Sequence, residues 1–100
     1  MSEQEMISAL RLRLEEGEKA AEALLSSLLS DAASLICALT WRSEVPKELF
    51  NAQLRLAVIF YNRMGMEGES SRSEGDVRRT ADDLPEGLRR EIYAYRRALT

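Results

Sequence analysis

The reactive side chains of this chain are carboxylates, guanidiniums, hydroxyls and a single thiol; histidine is absent. That absence removes the commonest general base and the commonest metal ligand. Hydrolytic chemistry needs a nucleophile beside a base, paired carboxylates in a cleft, or a metal. Serines are plentiful, but no imidazole is there to activate one. The carboxylate pairs Glu67/Glu69 and Asp82/Asp83 lie in polar, loop-like sequence, where such groups keep ordinary solvated behaviour. Glu74-Gly75-Asp76 lacks the spacing of a calcium loop. Gly65 and Gly68 have neither the preceding strand nor the following helix start of a phosphate cradle. The one cysteine, Cys37, excludes an internal disulfide, and its helical, apolar surroundings predict a buried, inert thiol. The expectation is a protein that is not an enzyme, with no catalytic residue, no cofactor and no metal.

Three basic pairs remain, Arg78-Arg79, Arg89-Arg90 and Arg96-Arg97. Phosphate contacts need such residues. Yet no helix is basic along one face without carboxylates nearby, and the net charge is −3. A sequence-specific reader of nucleic acid is not expected. The charge is uneven: residues 1–45 carry −4, 46–66 carry +2, 67–83 carry −3 and 84–100 carry +2. Such blocks can steer a partner or a second copy of the chain, or can simply be solvated faces.

Length and composition set the frame. One hundred residues suit one domain, and 45% apolar with 31% charged residues is ordinary for a soluble globular protein. No uninterrupted apolar run approaches the roughly 18 residues of a membrane span. The acidic start lacks a basic n-region, so neither a signal peptide nor a membrane partner is expected.

Periodicity places four helices. In residues 3–14, Met6, Ile7, Leu10 and Leu14 form one stripe, with Glu3 and Glu5 in the first turn and Arg11 and Arg13 in the last. Gly17 breaks it. Residues 18–40 form the cleanest amphipathic helix. Leu25, Leu28, Leu29, Ala32, Leu35, Ile36 and Leu39 face one way, and Ser26, Ser27, Ser30, Asp31 and Ser34 the other. That smooth serine face is either solvent-exposed or packed closely against a neighbouring subunit. Trp41 follows as a plug for the end of the core or a subunit contact. The run Leu54-Arg55-Leu56-Ala57-Val58-Ile59-Phe60-Tyr61 holds one charge in eight residues, the mark of a buried helix. It predicts a long central helix over 46–66, with Pro46 in the first turn and Gly65 and Gly68 as the stop. Pro85 opens a last helix over 85–98, with Leu88, Ile92, Tyr95 and Leu99 inward. Outside residues 67–83 no segment alternates like a strand.

Between the last two helices stand seventeen residues, 67–83, with one sizeable apolar side chain, Val77. Internal loops longer than about 12–15 residues are uncommon, and are usually functional or disordered. Extended at about 3.3 Å per residue, this arm would span roughly 55 Å, enough to cross onto an adjacent subunit. Such a segment is expected to order only against a partner, since it cannot offset its backbone entropy by burial in its own subunit.

At residues 56–97 the text carries a motif. Leu56-Ala57-Val58-Ile59-Phe60-Tyr61-Asn62-Arg63-Met64-Gly65-Met66-Glu67-Gly68-Glu69 is followed by Ser71-Arg72-Ser73-Glu74-Gly75, then Leu84-Pro85-Glu86 and Tyr95-Arg96-Arg97. This series resembles the head–tail connector (adaptor) proteins of tailed bacteriophages, also described as DNA-packaging proteins. By motif it covers over a third of the chain. Asp76 stands where the family pattern carries a second glycine. The resemblance implies an all-α fold: a small four-helix connector domain over 1–100, with a long central helix and an extended polar arm. It also implies a structural role, a ring on the portal vertex that extends the DNA channel and joins head to tail components. The implied partners are other copies of itself, the phage portal protein, and a stopper or tail-completion protein. By symmetry matching the ring would hold roughly twelve copies, a closed heterologous assembly. The free chain is left open between monomer and oligomer. The implied location is the head–tail junction of the virion, and the host bacterial cytoplasm during assembly. The contact residues implied for subunit or portal are Asn62, Arg63, Glu67, Glu69, Arg72, Glu74, Arg78, Arg79, Arg96 and Arg97. The competing reading is a small cytoplasmic helical adaptor or regulator that self-associates through its serine face.

Overall fold

The computed structural model describes residues 2–14, 19–67 and 84–96. Among these it contains four α-helices and no strand: α1 (Glu3–Arg13), α2 (Glu22–Thr40), α3 (Phe50–Glu67) and α4 (Glu86–Tyr93). The all-α expectation therefore stands. The arm expected over 67–83 lies outside the described residues except for Glu67, which is the last residue of α3.

Helix α1 starts as its sequence dictates. The Ser2 hydroxyl accepts the backbone N–H of Glu5 at 3.2 Å, and the Glu5 carboxylate accepts the N–H of Ser2 at 2.8 Å. This reciprocal capping box satisfies two donors that a helix start leaves orphaned. The predicted stripe of Met6, Ile7, Leu10 and Leu14 is buried.

Helix α2 begins four residues later than its periodicity suggested. Ala21 holds extended backbone with no side-chain cap, so the hydrophobic stripe rather than a capping residue sets the start. All seven predicted core positions, Leu25 through Leu39, are buried. Long and apolar enough in composition to cross a membrane, α2 has 44% of that window buried inside the fold, as an amphipathic core helix would. Ser27, Ser30 and Ser34 are exposed, while Ser26 is half-buried and donates 2.6 Å to Glu3. Leu12 on α1 stands almost wholly in solvent.

The third helix departs from expectation in three ways. Pro46 is not within it: Pro46 is extended and starts a separate 3-10 turn over Lys47–Leu49, whose Leu49 N–H bonds the Pro46 carbonyl at 2.8 Å. The residue's fixed φ suits that entry, and its missing N–H costs nothing there. Gly65 does not stop α3, which runs through it to Glu67; a single glycine weakens a helix by only about 1 kcal/mol. Nor is the run 54–61 buried on every face. Leu54, Leu56, Ala57 and Phe60 enter the core, whereas Val58, Ile59 and Tyr61 are only partly covered. Within the described fold α3 is covered from one side, although it touches all three other helices.

Helix α4 is shorter than the expected 85–98. After Tyr93 the backbone tightens: Tyr95 N–H bonds the Ile92 carbonyl and Arg96 N–H the Tyr93 carbonyl, both at 3.0 Å. These i to i−3 bonds turn the chain toward the end of α2. Leu88 and Ile92 are buried as predicted, Leu84 just ahead of the helix is buried as well, Tyr95 is half-covered, and Leu99 lies outside the described residues.

Candidate functional site

The longest-range polar contacts in the fold gather where α2 ends. Trp41 caps that helix in the left-handed region, φ 60° and ψ 36°, the one non-glycine residue with positive φ among the described residues. For a bulky side chain this backbone costs about 1–3 kcal/mol and persists only where the surroundings hold it. Here they do. The N–H groups of Trp41 and Arg42 both bond the Cys37 carbonyl, closing the helix end. The Arg96 guanidinium lies over two rings, 4.5 Å from the Trp41 ring centroid and 4.6 Å from that of Tyr93. Each such contact is worth about 0.5–1 kcal/mol at an exposed site.

Two arginine–carbonyl bonds lock the ends of α2 and α4 together. Arg42 Nε donates 2.8 Å to the Tyr95 carbonyl, and Arg96 Nε donates 3.2 Å to the Leu39 carbonyl. Beneath them Thr40, fully buried, donates its hydroxyl 2.7 Å to the Ile36 carbonyl. Trp41 is therefore not the plug of the core that its position suggested. It is 46% exposed and forms the outer surface of this junction. Cys37, one turn earlier, is partly buried; desolvation raises its thiol above the ordinary value, and Glu44 adds to the shift. This fits an inert thiol.

Of the residues implied as contacts, the structure brings only Arg96 into this junction. Asn62 is exposed on α3, Arg63 is half-buried on the same helix and already engaged, and Glu67 ends that helix. Glu69, Arg72, Glu74, Arg78, Arg79 and Arg97 lie outside the described residues. Arg42, Trp41 and Tyr93 were not among the implied contacts. The contacts of Trp41 with Arg96 and of Arg42 with Tyr95 span more than fifty residues of sequence and no local pattern announces them, although a basic residue directly after a helix-ending tryptophan was visible; Tyr93 stands three residues before Arg96.

Among the described residues no three carboxylate, thiol or imidazole groups come together as metal ligands. The arrangement offers no reacting centre; its chemistry is that of a surface, aromatic faces and guanidiniums held rigidly at one end of the body.

A search of curated proteins and a search of solved structures each returned no match. A family model, described as Phage gp6-like head-tail connector protein, matches residues 4–96. That span takes in the four helices, all but Glu3 of α1, and the junction of Trp41 with Arg96, and the chain belongs to the Phage gp6-like head-tail connector protein family.

Proposed function

We propose that this chain is a structural subunit that assembles as a closed ring on the portal vertex, prolongs the DNA channel and presents a surface to the next tail or stopper component. The observation that carries this reading is the family match over residues 4–96. The connector family points to association with portal and tail components at the head–tail junction. The small helical body, with a rigid aromatic and arginine surface at one end, supports a role in assembly rather than in catalysis. A ring of identical subunits uses two different faces of each copy, so such a body needs two complementary surfaces.

Light scattering of the purified chain, alone and mixed with purified portal, tests the proposal. The expected result is a portal complex heavier by a whole ring of subunits. A chain that pairs with itself in twos and ignores the portal would instead support a self-associating adaptor working through the exposed Ser27, Ser30 and Ser34 face.

A further inference from the structure

Two exposed carboxylates stand at the start of α2, near Lys19 and the Arg11 that bonds the Ala20 carbonyl, and two arginines stand at its end, near Glu44. At the first turns, Glu3 accepts a hydrogen bond from the Ser26 hydroxyl at 2.6 Å and Glu22 accepts one from the Gln4 amide at 2.9 Å. Ser26 lies one helical turn beyond Glu22, so both carboxylates belong to the side of α2 that meets α1. Both take their bonds from neutral donors. At the other end stand the arginines of the Trp41 junction. Each spends its Nε on a backbone carbonyl; Arg96 is exposed and Arg42 half-buried. Nineteen residues at 1.5 Å put the two ends roughly 28 Å apart, so within one copy they cannot meet. The exposed positions between them, Ala23, Ser27, Ser30, Ser34 and Ala38, carry no charge, and the half-buried Asp31 stands among them.

We propose that the Trp41–Arg42–Arg96 end of one copy receives the Glu3–Glu22 end of the next. This rests on the ring reading and names its subunit contact. The composition fits: Trp, Tyr and Arg are the residues that concentrate binding energy at interfaces, and the ring stack holds Arg96 in place before docking. The bidentate fork of a guanidinium matches a carboxylate. The contact is heterologous, each copy donating its acidic end once and its arginine end once. It therefore propagates from copy to copy and closes where the rotation allows.

Charge reversal tests it. One variant carries Glu3→Arg and Glu22→Arg, the other Arg42→Glu and Arg96→Glu, and loading onto portal is followed by native mass measurement. Each variant alone sets like charges against each other, and is expected to load at least about tenfold more weakly than the unmodified chain. An equimolar mixture restores both kinds of contact and is expected to load as well as the unmodified chain. The second variant removes two bonds that hold α4 to α2, so the first, confined to exposed residues, is read independently. Trp41 is the only tryptophan, and its fluorescence should shift as the unmodified ring forms but not with the Glu3→Arg/Glu22→Arg chain. Unmodified loading by that variant, or a mixture no better than its parts when the second variant keeps the helical circular-dichroism signal and melting temperature of the unmodified chain, overturns the inference and leaves the ring reading intact. Failure of the unmodified chain to load overturns the ring reading itself, and the contact with it.

Discussion

Gln53 on α3 donates its amide 2.9 Å to the carbonyl of Leu29 on α2, fixing the register of the two longest helices from inside their interface. Gln53 is 9% exposed, and among the described residues no buried side-chain nitrogen or oxygen lacks a partner. Leu29 sits in mid-helix, where its carbonyl also serves the helix ladder. Removing the donor therefore leaves no orphaned acceptor. Gln53→Leu should cost less than about 1.5 kcal/mol by chemical denaturation, because an apolar side chain of similar size replaces a satisfied pair. Gln53→Ala should cost more, by opening space between the helices.

The uneven cover of α3 gives a second expectation. Leu56 is wholly buried, and Leu56→Ala should cost about 2–5 kcal/mol. Ile59, three residues on, is only partly covered, so Ile59→Ala should cost clearly less in the free subunit. If the segment after α3 or a neighbouring copy covers Ile59 on assembly, the same substitution should weaken ring formation more than folding. Equal losses of stability at the two sites would contradict the arrangement of this helix.

Acid should loosen the start of α1. The Ser2 backbone N–H, and secondarily its hydroxyl, hold the Glu5 carboxyl below its ordinary value of 4.5. A depressed value means the ionised form is the one favoured by folding. Its contribution is complete above the unfolded value and is lost as pH falls through the lower folded one. Amide exchange in the first turn of α1 should therefore quicken below about pH 4 relative to the rest of the helix. Glu5→Gln should remove that pH dependence, whereas Ser2→Ala, which keeps the backbone N–H and loses only the hydroxyl, should remove the smaller part of it.

Much of this body was legible in the sequence because its helices obey local rules. The stripe Met6, Ile7, Leu10, Leu14 and the seven core positions of α2 follow from 3.6-residue periodicity alone. The ends were harder. Ala21 caps α2 without any capping side chain, and beyond Tyr93 the Tyr95 carbonyl accepts from Arg42 while Arg96 donates to Leu39. No one-dimensional pattern contains those partners. The exposed side of α3 misled for a related reason. A run of apolar residues predicts burial, but whether the cover comes from the same subunit is a tertiary fact. Of the two readings of Trp41, core plug or subunit contact, the first fails: a left-handed cap turns it outward, onto Arg96, instead of into the core.

Charge predicts how the protein treats DNA. With a net charge of −3, it should bind duplex DNA only weakly, and the binding should fall steeply as salt rises. A channel through which DNA passes should not grip phosphate. Tight, sequence-dependent retention at physiological salt in a filter or mobility assay would contradict a connector role.

The most direct measurement is made on particles. A phage lacking this chain should be examined by electron microscopy and DNA content, with the chain resupplied from a plasmid as control. The account predicts DNA-filled or leaking heads without attached tails, tails accumulating separately, and infectious particles restored by the resupplied chain. Normal numbers of intact, infectious particles in its absence would contradict it.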